Sequence, residues 1–389
     1  MKTIYLKEHK EKALLRRHPW IFSGAIGRRD PGIGDGDIIA VCDGHGAHLG
    51  CGYYNSRTQI AVRMLSFGDI EVTDNYLRDL VRAAAARRAG NPFLRDTDSY
   101  RLIFSEGDFL PGLIVDSYGG HLVLQCLTLG MDRLKGSIVT ILKEELNPSS
   151  IYERSDHEGR ALEGLAPAQG QLLGETPAEL VMNEAGMSFY VNVGAGQKTG
   201  FFLDQRDNRV LVRGLARGRK VLNLFSYTGG FSVAAGMGGA VSVVSVDSSA
   251  DALGLAKKNM ELNGVAAPCE YTRADIFQYL RNETIDAELI ILDPPALAKN
   301  RASVDRACRG YKDLHLQLAR RCPAGATILT CSCSRFIAME LFQKVVFEAF
   351  ADAGRKAAII GKHGQPCDHP VSIFCPETEY LKTMLLQLE

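Results

Sequence analysis

From about Lys198 onward the chain alternates short apolar runs with helical stretches, and this alternation limits the fold more than any other feature of the sequence. The runs ValLeuAsnLeuPhe (221–225), ValSerValValSerVal (241–246), LeuIleIleLeu (289–292) and ThrIleLeuThr (327–330) have the length and apolar character of strands covered on both faces. Such strands, separated by helices, build a parallel sheet, so an α/β domain is expected over residues 196–389. Open sheets of this kind bind ligands beyond the carboxyl ends of their strands. The residues that follow each run are therefore the candidates for chemistry.

The rest of the chain has a different texture. Up to about residue 70, short β-type runs such as IleIleAlaVal (38–41) and GlnIleAlaValArgMet (59–64) alternate with glycine-rich turns, which predicts a small β barrel over 1–70. A helical period over Val72–Arg88, strands within 101–127, a helix around Asp132–Leu146 and a hairpin within 187–193 predict a central α+β domain over 71–195. At 389 residues the chain has room for three such parts.

Composition excludes several classes of function. With 46% hydrophobic and 23% charged residues the chain is neither disordered nor membrane-spanning, since no apolar run nears the roughly 18 residues a bilayer requires. The charged start MetLysThrIleTyrLeuLysGluHisLys is unlike a secretory signal, which predicts a cytoplasmic protein. Ten cysteines without a CxxC pair fit free thiols in a reducing compartment. His363, Cys367, His369 and Cys375 match no established zinc spacing, and no metal site is expected.

Overall charge is zero, but residues 1–29 carry eight lysines and arginines against two glutamates. Cations interleaved with aromatics in ArgArgHisProTrpIlePhe (16–22) fit a nucleic-acid surface as well as a solvated face, with Arg16, Arg17, His18 and Trp20 as the candidate contacts.

At the end of the first apolar run, Phe225 leads into Ser226, Tyr227, Thr228, Gly229 and Gly230 and then a helix. Small residues there let a ligand approach the backbone. The next run ends at Asp247 and Ser248, about twenty residues on, where a carboxylate accepts hydrogen bonds from both hydroxyls of a ribose. Asp275 suits either an adenine edge or the N-cap of a following helix. A dinucleotide enzyme would show GxGxxG after the first strand. Its absence favours S-adenosylmethionine, which has an adenosine but no phosphate, over NAD.

At the other runs, Asp293 stands before two prolines that fix the backbone, and Cys331 and Cys333 follow the last strand two residues apart. Carbon 5 of a pyrimidine is a poor nucleophile, and thiolate addition at carbon 6 makes it an enamine-like one that can attack a sulfonium methyl. A thiol of ordinary pKa, about 8.5, needs a nearby cation or helix terminus for this task, and Arg335 and Lys299 are the candidate cations.

These residues carry a family resemblance across essentially the whole chain. LysThrGlyPhePheLeuAspGlnArgAspAsnArg (198–209), LeuAsnLeuPheSerTyrThrGlyGlyPheSer (222–232), AspProPro (293–295), CysArgGlyTyrLysAsp (308–313), SerCysSer (332–334) and AspHisPro (368–370) resemble the ribosomal RNA large subunit methyltransferase I family. The resemblance implies an N-terminal PUA domain, a central domain and a C-terminal Rossmann-like class I methyltransferase domain. It implies S-adenosylmethionine as methyl donor, a cytosine of 23S ribosomal RNA, free or within a large-subunit assembly particle, as substrate, and Cys333 as nucleophile with Asp293 holding the base. Lys198 and Thr199 would line the cofactor entrance, with Phe201 or Phe202 near the adenosine and Asp204 or Arg206 fixing the wall. Ala296 and Leu297 depart from the family pattern, where an aromatic commonly follows AspProPro. Methylation of an exocyclic amine, or an inactive RNA-binding assembly factor, are the alternatives, and a homodimer is left open.

Overall fold

The computed structural model describes residues 1–194 and 196–389. The backbone packs as two compact units, one of Met1–Met182, Val191–Leu203 and Cys367–Thr378, the other of Asn183–Tyr190, Asp204–Pro366 and Glu379–Glu389. The expected divisions after residues 70 and 195 both fall inside stretches of the first unit.

In the first unit, strands Thr3–Leu6, Trp20–Phe22, Ile26–Arg29, Ile38–Cys42, His48–Tyr54 and Ile60–Phe67 form one six-stranded sheet. It closes over a core that includes Ile4, Ile21, Ile39, Val41, Val62 and Met64. A five-stranded sheet follows, with Ser99–Phe104, Leu113–Tyr118, His121–Cys126, Ser150–Ser155 and Ala168–Gly174 lying side by side in chain order. Helices Asp74–Ala89 and Leu129–Leu146 share its core. The two sheets are joined by buried polar contacts: the Tyr53 hydroxyl donates to Pro111 O at 2.9 Å, and Asn55 Nδ2 donates to Glu163 Oε2 at 2.7 Å.

Two segments distant in sequence complete this unit. Asp368 accepts from Arg101 N through Oδ2 at 2.8 Å, and its carbonyl accepts from Arg88 Nη2 at 2.8 Å. Arg101 in turn grips Asp116 through two bonds of 2.8 Å, and Thr199 Oγ1 donates to Asp116 Oδ2 at 2.6 Å. Burial without these partners would leave several charges unpaired, so AspHisPro (368–370) and Thr199 act here as structural ties.

The second unit is built on a seven-stranded sheet. Its strands are β1 (Lys220–Leu224), β2 (Ser242–Asp247), β3 (Cys269–Arg273), β4 (Leu289–Leu292), β5 (Thr327–Ser332), β6 (Ala357–His363) and β7 (Lys382–Leu388), in the spatial order 3-2-1-4-5-7-6. The first five are parallel, and Leu224 lies level with Val246 and Leu292, as Leu292 does with Thr330, so their carboxyl ends share one rim. Helices α1 (Arg206–Leu215), α2 (Gly230–Met237), α3 (Ala250–Leu262), α4 (Ile276–Asn282), α5 (Val304–Arg321) and α6 (Met339–Asp352) make the crossovers and cover the sheet. Leu222, Leu224, Ile290, Leu292 and Ile328 pack one core with Tyr311, Leu314, Leu318 and Phe342. Strand β7 runs antiparallel to β5 and pairs Lys382 with Ser332, so its amino end reaches the same rim. The hairpin expected within 187–193 lies earlier: that range holds only its second strand, Met187–Val191, which pairs with Leu180–Glu184 across a turn at Ala185 and Gly186, with φ of 50° and 75°. Among the described residues no helix is long and apolar enough to cross a membrane.

Candidate active site

The loop after β1 is conformationally costly. Phe225, Tyr227 and Gly229 have φ of 59°, 47° and 78°, the left-handed region that non-glycine residues avoid. Asp247 holds the loop: its Oδ2 accepts from Tyr227 N and its Oδ1 from Ser249 N, each at 2.9 Å. Each carboxylate oxygen has a second lone pair for a ribose hydroxyl. From below, Asn259 Nδ2 donates to Thr228 O at 2.8 Å, while its Oδ1 accepts from Tyr190 N at 2.8 Å. Asn259 is fully buried on α3 and was not foreseen, although an asparagine inside an apolar helix face is a legible signal of such a tie.

S-adenosylmethionine fits this rim. The hydroxyls of Ser226 and Thr228 are buried without a hydrogen-bond partner, which a polar ligand seated on the loop would supply. A side chain at Gly229 would put its Cβ 2.8 Å from that of Ala256, so the loop lies against α3 only because glycine is there. Gly230 opens α2, and Ser248 is exposed beside Asp247. Asp275 caps α4 by accepting from Gln278 N at 3.0 Å, one of its two expected roles, and remains exposed.

The residues of 198–206 are divided between the units. Lys198, Thr199, Phe201 and Phe202 belong to the first, where Thr199 and Phe201 are buried and the Lys198 ammonium sits 4.3 Å from the Phe202 ring centre. Asp204 and Arg206 belong to the second and are both buried. Asp204 Oδ2 accepts from the Tyr380 hydroxyl at 2.7 Å, and Arg206 Nε lies 3.7 Å from Glu184, the carboxylate that Arg209 grips with two bonds.

At the far side of the rim the two cysteines have unlike surroundings. Cys331 is inside β5 and fully buried, with its sulfur 3.4 Å from Thr383 Oγ1. Burial, with the negative charge of Asp293 adding to it, pushes its thiol well above the ordinary range. Cys333 follows the last residue of the strand and is partly exposed. Asp293 is likewise half-buried at the end of β4.

Ser334 binds these two loops together, because its hydroxyl accepts from Ala298 N at 3.2 Å and lies 3.3 Å from the Tyr311 hydroxyl. Tyr311 is pushed up to about 12, mainly by burial, with the charges of Cys333 and Asp293 contributing. A cleft of about 450 Å³ opens beside AspProPro, lined by Ala296, Leu297, Lys299, Asn300, Arg306 and the aromatic ring of Phe277.

Lys382 is the residue at this rim that sequence reasoning missed. It is 5% exposed, and its ammonium donates to Ser334 O and Tyr380 O, both at 2.7 Å. Burial pulls its pKa down to about 8, against the opposing pull of Cys333 and Glu379. The signal was a lysine within the apolar run TyrLeuLysThrMetLeuLeu (380–386), whereas Arg335 and Lys299 are exposed.

In the N-terminal region all eight cations are exposed, Arg16 and Arg17 among them. Trp20 is a correction. Its ring is 9% exposed and its indole donates to Glu106 Oε1 at 2.8 Å, so it is a core residue and presents no face for a base. His18 packs edge-on to Trp20 and pairs with Glu377 at 3.3 Å. One set of grouped metal-type ligands occurs among the described residues, His18, Cys375 and Glu377, tied by that contact and by Cys375 donating to Glu377 at 3.5 Å.

Comparison with known proteins agrees with this architecture. Residues 166–355 match the S-adenosylmethionine-dependent methyltransferase family, and residues 4–67 match a PUA-like domain. The ribosomal RNA large subunit methyltransferase I of Erwinia tasmaniensis is 41% identical over 385 residues, 97% of each chain, and that of Serratia proteamaculans 41% over 391 residues, again 97% of each. The crystal structure of the methyltransferase SMU.776, solved with SAH, is 26% identical and superposes with a TM-score of 0.86 over the whole of both chains. A methyltransferase structure from Streptococcus mutans, 24% identical with a TM-score of 0.83, has the same fold. With S-adenosylmethionine as its cofactor, this chain belongs to the ribosomal RNA large subunit methyltransferase I family.

Proposed function

We propose that this protein methylates carbon 5 of a cytosine in 23S ribosomal RNA, with Cys333 as a transient covalent nucleophile. The observation that carries the proposal is the difference between the two thiols: Cys331 is sealed in the sheet, and Cys333 stands partly exposed at the ligand-bearing rim beside a lysine. The large-subunit RNA substrate rests on the relatives named above, and the exposed cations of residues 1–29 suit a phosphate backbone.

S-adenosylmethionine, held by the loop after β1 and by Asp247, would supply an electrophilic methyl on a sulfonium. Cys333 sulfur bonds to carbon 6 of the cytosine, and the electron pair of the 5,6 double bond gives carbon 5 the nucleophilic character it lacks. Carbon 5 takes the methyl as the methyl–sulfur bond breaks. A base then removes the carbon 5 proton, the electron pair left behind restores the double bond, and the Cys333 thiolate departs. Asp293 is suited to hold the cytosine ring, once the base is out of its stack at a cost of a few kcal/mol.

The test is nucleoside mass spectrometry of 23S ribosomal RNA treated with wild type and with Cys333→Ala. Wild type is expected to yield 5-methylcytosine, and Cys333→Ala to lose turnover while keeping its affinity for S-adenosylmethionine. Turnover retained by Cys333→Ala would remove the nucleophile, and a product methylated on an exocyclic amine would remove the carbon chemistry.

A further inference from the structure

A thiol at this rim needs help to ionise, because an ordinary cysteine of pKa about 8.5 is only a few per cent thiolate at neutral pH. The two cations expected from the sequence are poorly suited to this. Arg335 and Lys299 are exposed, where water and salt screen a charge within about 8 Å. Lys382 has the opposite setting. Strand β7 runs antiparallel to β5 and pairs Lys382 with Ser332, one residue before Cys333. Two main-chain carbonyls, Ser334 O and Tyr380 O, hold its ammonium at 2.7 Å each, and Ser334 is the residue directly after Cys333. An ammonium has three N–H donors, and these carbonyls take two.

We propose that Lys382 is the positioning residue that holds Cys333 as a thiolate, its third N–H directed at the sulfur and its other two fixed by the main chain on either side. The assignment rests on the proposed role of Cys333. It makes physical sense of a buried lysine with only neutral acceptors, since an ammonium taken out of water is costly unless an anion faces it. Burial brings the lysine down to about 8, and the neighbouring Cys333 opposes that shift. The other titratable groups around the pair are Asp293, Tyr311, Cys331 and Glu379. Cys331 and Tyr311 are both raised and neutral, and Asp293 is an anion that works against a thiolate, so Lys382 is what offsets it.

The test follows alkylation of Cys333 by iodoacetamide against pH in the full-length protein, resolved by peptide mass spectrometry so that the other cysteines do not contribute. Lys382→Gln keeps N–H donors for the carbonyls and removes the charge. The midpoint for Cys333 is expected to rise by about one unit or more, a tenfold loss of reactivity at neutral pH. Lys382→Arg should restore most of it. A midpoint in Lys382→Gln equal to wild type overturns the proposal. Should that variant fail to fold, reciprocity supplies a second measurement: the pH midpoint for acetylation of Lys382 should fall when the thiolate is removed in Cys333→Ala. An unchanged lysine midpoint overturns the proposal equally. Neither readout uses RNA or product, so a failure here is distinct from a failure of the cytosine chemistry.

Discussion

Replacing Gly229 by alanine tests whether the loop after β1 is shaped for the cofactor by close approach to α3. The residue has φ of 78°, and a Cβ there would lie 2.8 Å from Ala256 Cβ and 3.1 Å from Ala256 Cα. A left-handed non-glycine residue costs about 1–2 kcal/mol, and overpacking a rigid contact about 1–3 kcal/mol. Reduced freedom of the unfolded chain returns about 0.4–1 kcal/mol, so Gly229→Ala should destabilise by roughly 1–4 kcal/mol.

The loop has a cheaper escape, which is to move and lose the placement of Ser226 and Thr228, so part of the penalty should appear as weaker binding of S-adenosylmethionine, by about tenfold for each 1.4 kcal/mol. Calorimetric titration with the cofactor and urea denaturation followed by far-ultraviolet circular dichroism read the two shares. Gly254→Ala is the control. That glycine lies in α3 with nothing within 4 Å of the place a Cβ would take, and its replacement should be neutral or stabilising by up to about 1 kcal/mol. In a double-mutant cycle, Ala256→Gly should couple favourably to Gly229→Ala, because it removes the nearer of the two opposing atoms. Wild-type stability and wild-type affinity in Gly229→Ala would refute the reasoning, and strict additivity in the cycle would refute its steric half.

Two further outcomes are expected. His315 is fully buried between Tyr311 O and Thr330 Oγ1, and burial brings its pKa from 6.5 down to about 4. The unfolded chain therefore binds the proton first. The stability this residue contributes is complete above about pH 6.5 and is lost as pH falls toward 4, about 3 kcal/mol in all, and His315→Gln should flatten denaturant midpoints against pH across that window. An unflattened profile would assign the acid sensitivity elsewhere. Arg16→Ala with Arg17→Ala should weaken RNA binding and reduce the slope of log K against log salt by about one to two, and an unchanged slope would take these arginines out of the RNA contact.

What the sequence discloses here is what periodicity and strand ends encode. The runs at 221–225, 241–246, 289–292 and 327–330 became β1, β2, β4 and β5 because an apolar run between helices has one stable place, the middle of a parallel sheet. The places of Asp247, Asp293 and Cys333 at the rim were legible for the same reason, each standing at or just past the point where such a run stops. Partners supplied by the return of the chain were not. Trp20 looked like a stacking residue among cations because nothing local shows that Glu106, from the turn that follows strand Ser99–Phe104, accepts its indole N–H. Thr199 looked like a cofactor residue, and Asp116 holds it. Strand β7 escaped because it is the antiparallel strand that breaks the βα alternation, and Lys382 escaped with it; β6 escaped because its side chains are almost all exposed and carry no buried apolar run.

That omission bears on which sulfur can react. Two residues apart on an extended strand point the same way, so spacing alone makes Cys331 and Cys333 equivalent. The end of β5 at Ser332 separates them: Cys331 keeps its sheet partner Thr383 and is enclosed, while Cys333 has left the ladder. The same antiparallel pairing that encloses Cys331 beside Thr383 sets Lys382 opposite Ser332, so one strand withholds water from the first sulfur and offers a cation to the second. Moving the proposed nucleophile back by two residues would put it in a site where an anion is opposed by both burial and Asp293. Cys331 therefore cannot substitute for Cys333 by a change of rotamer, and the intact Cys331 of a Cys333→Ala variant should give no residual turnover.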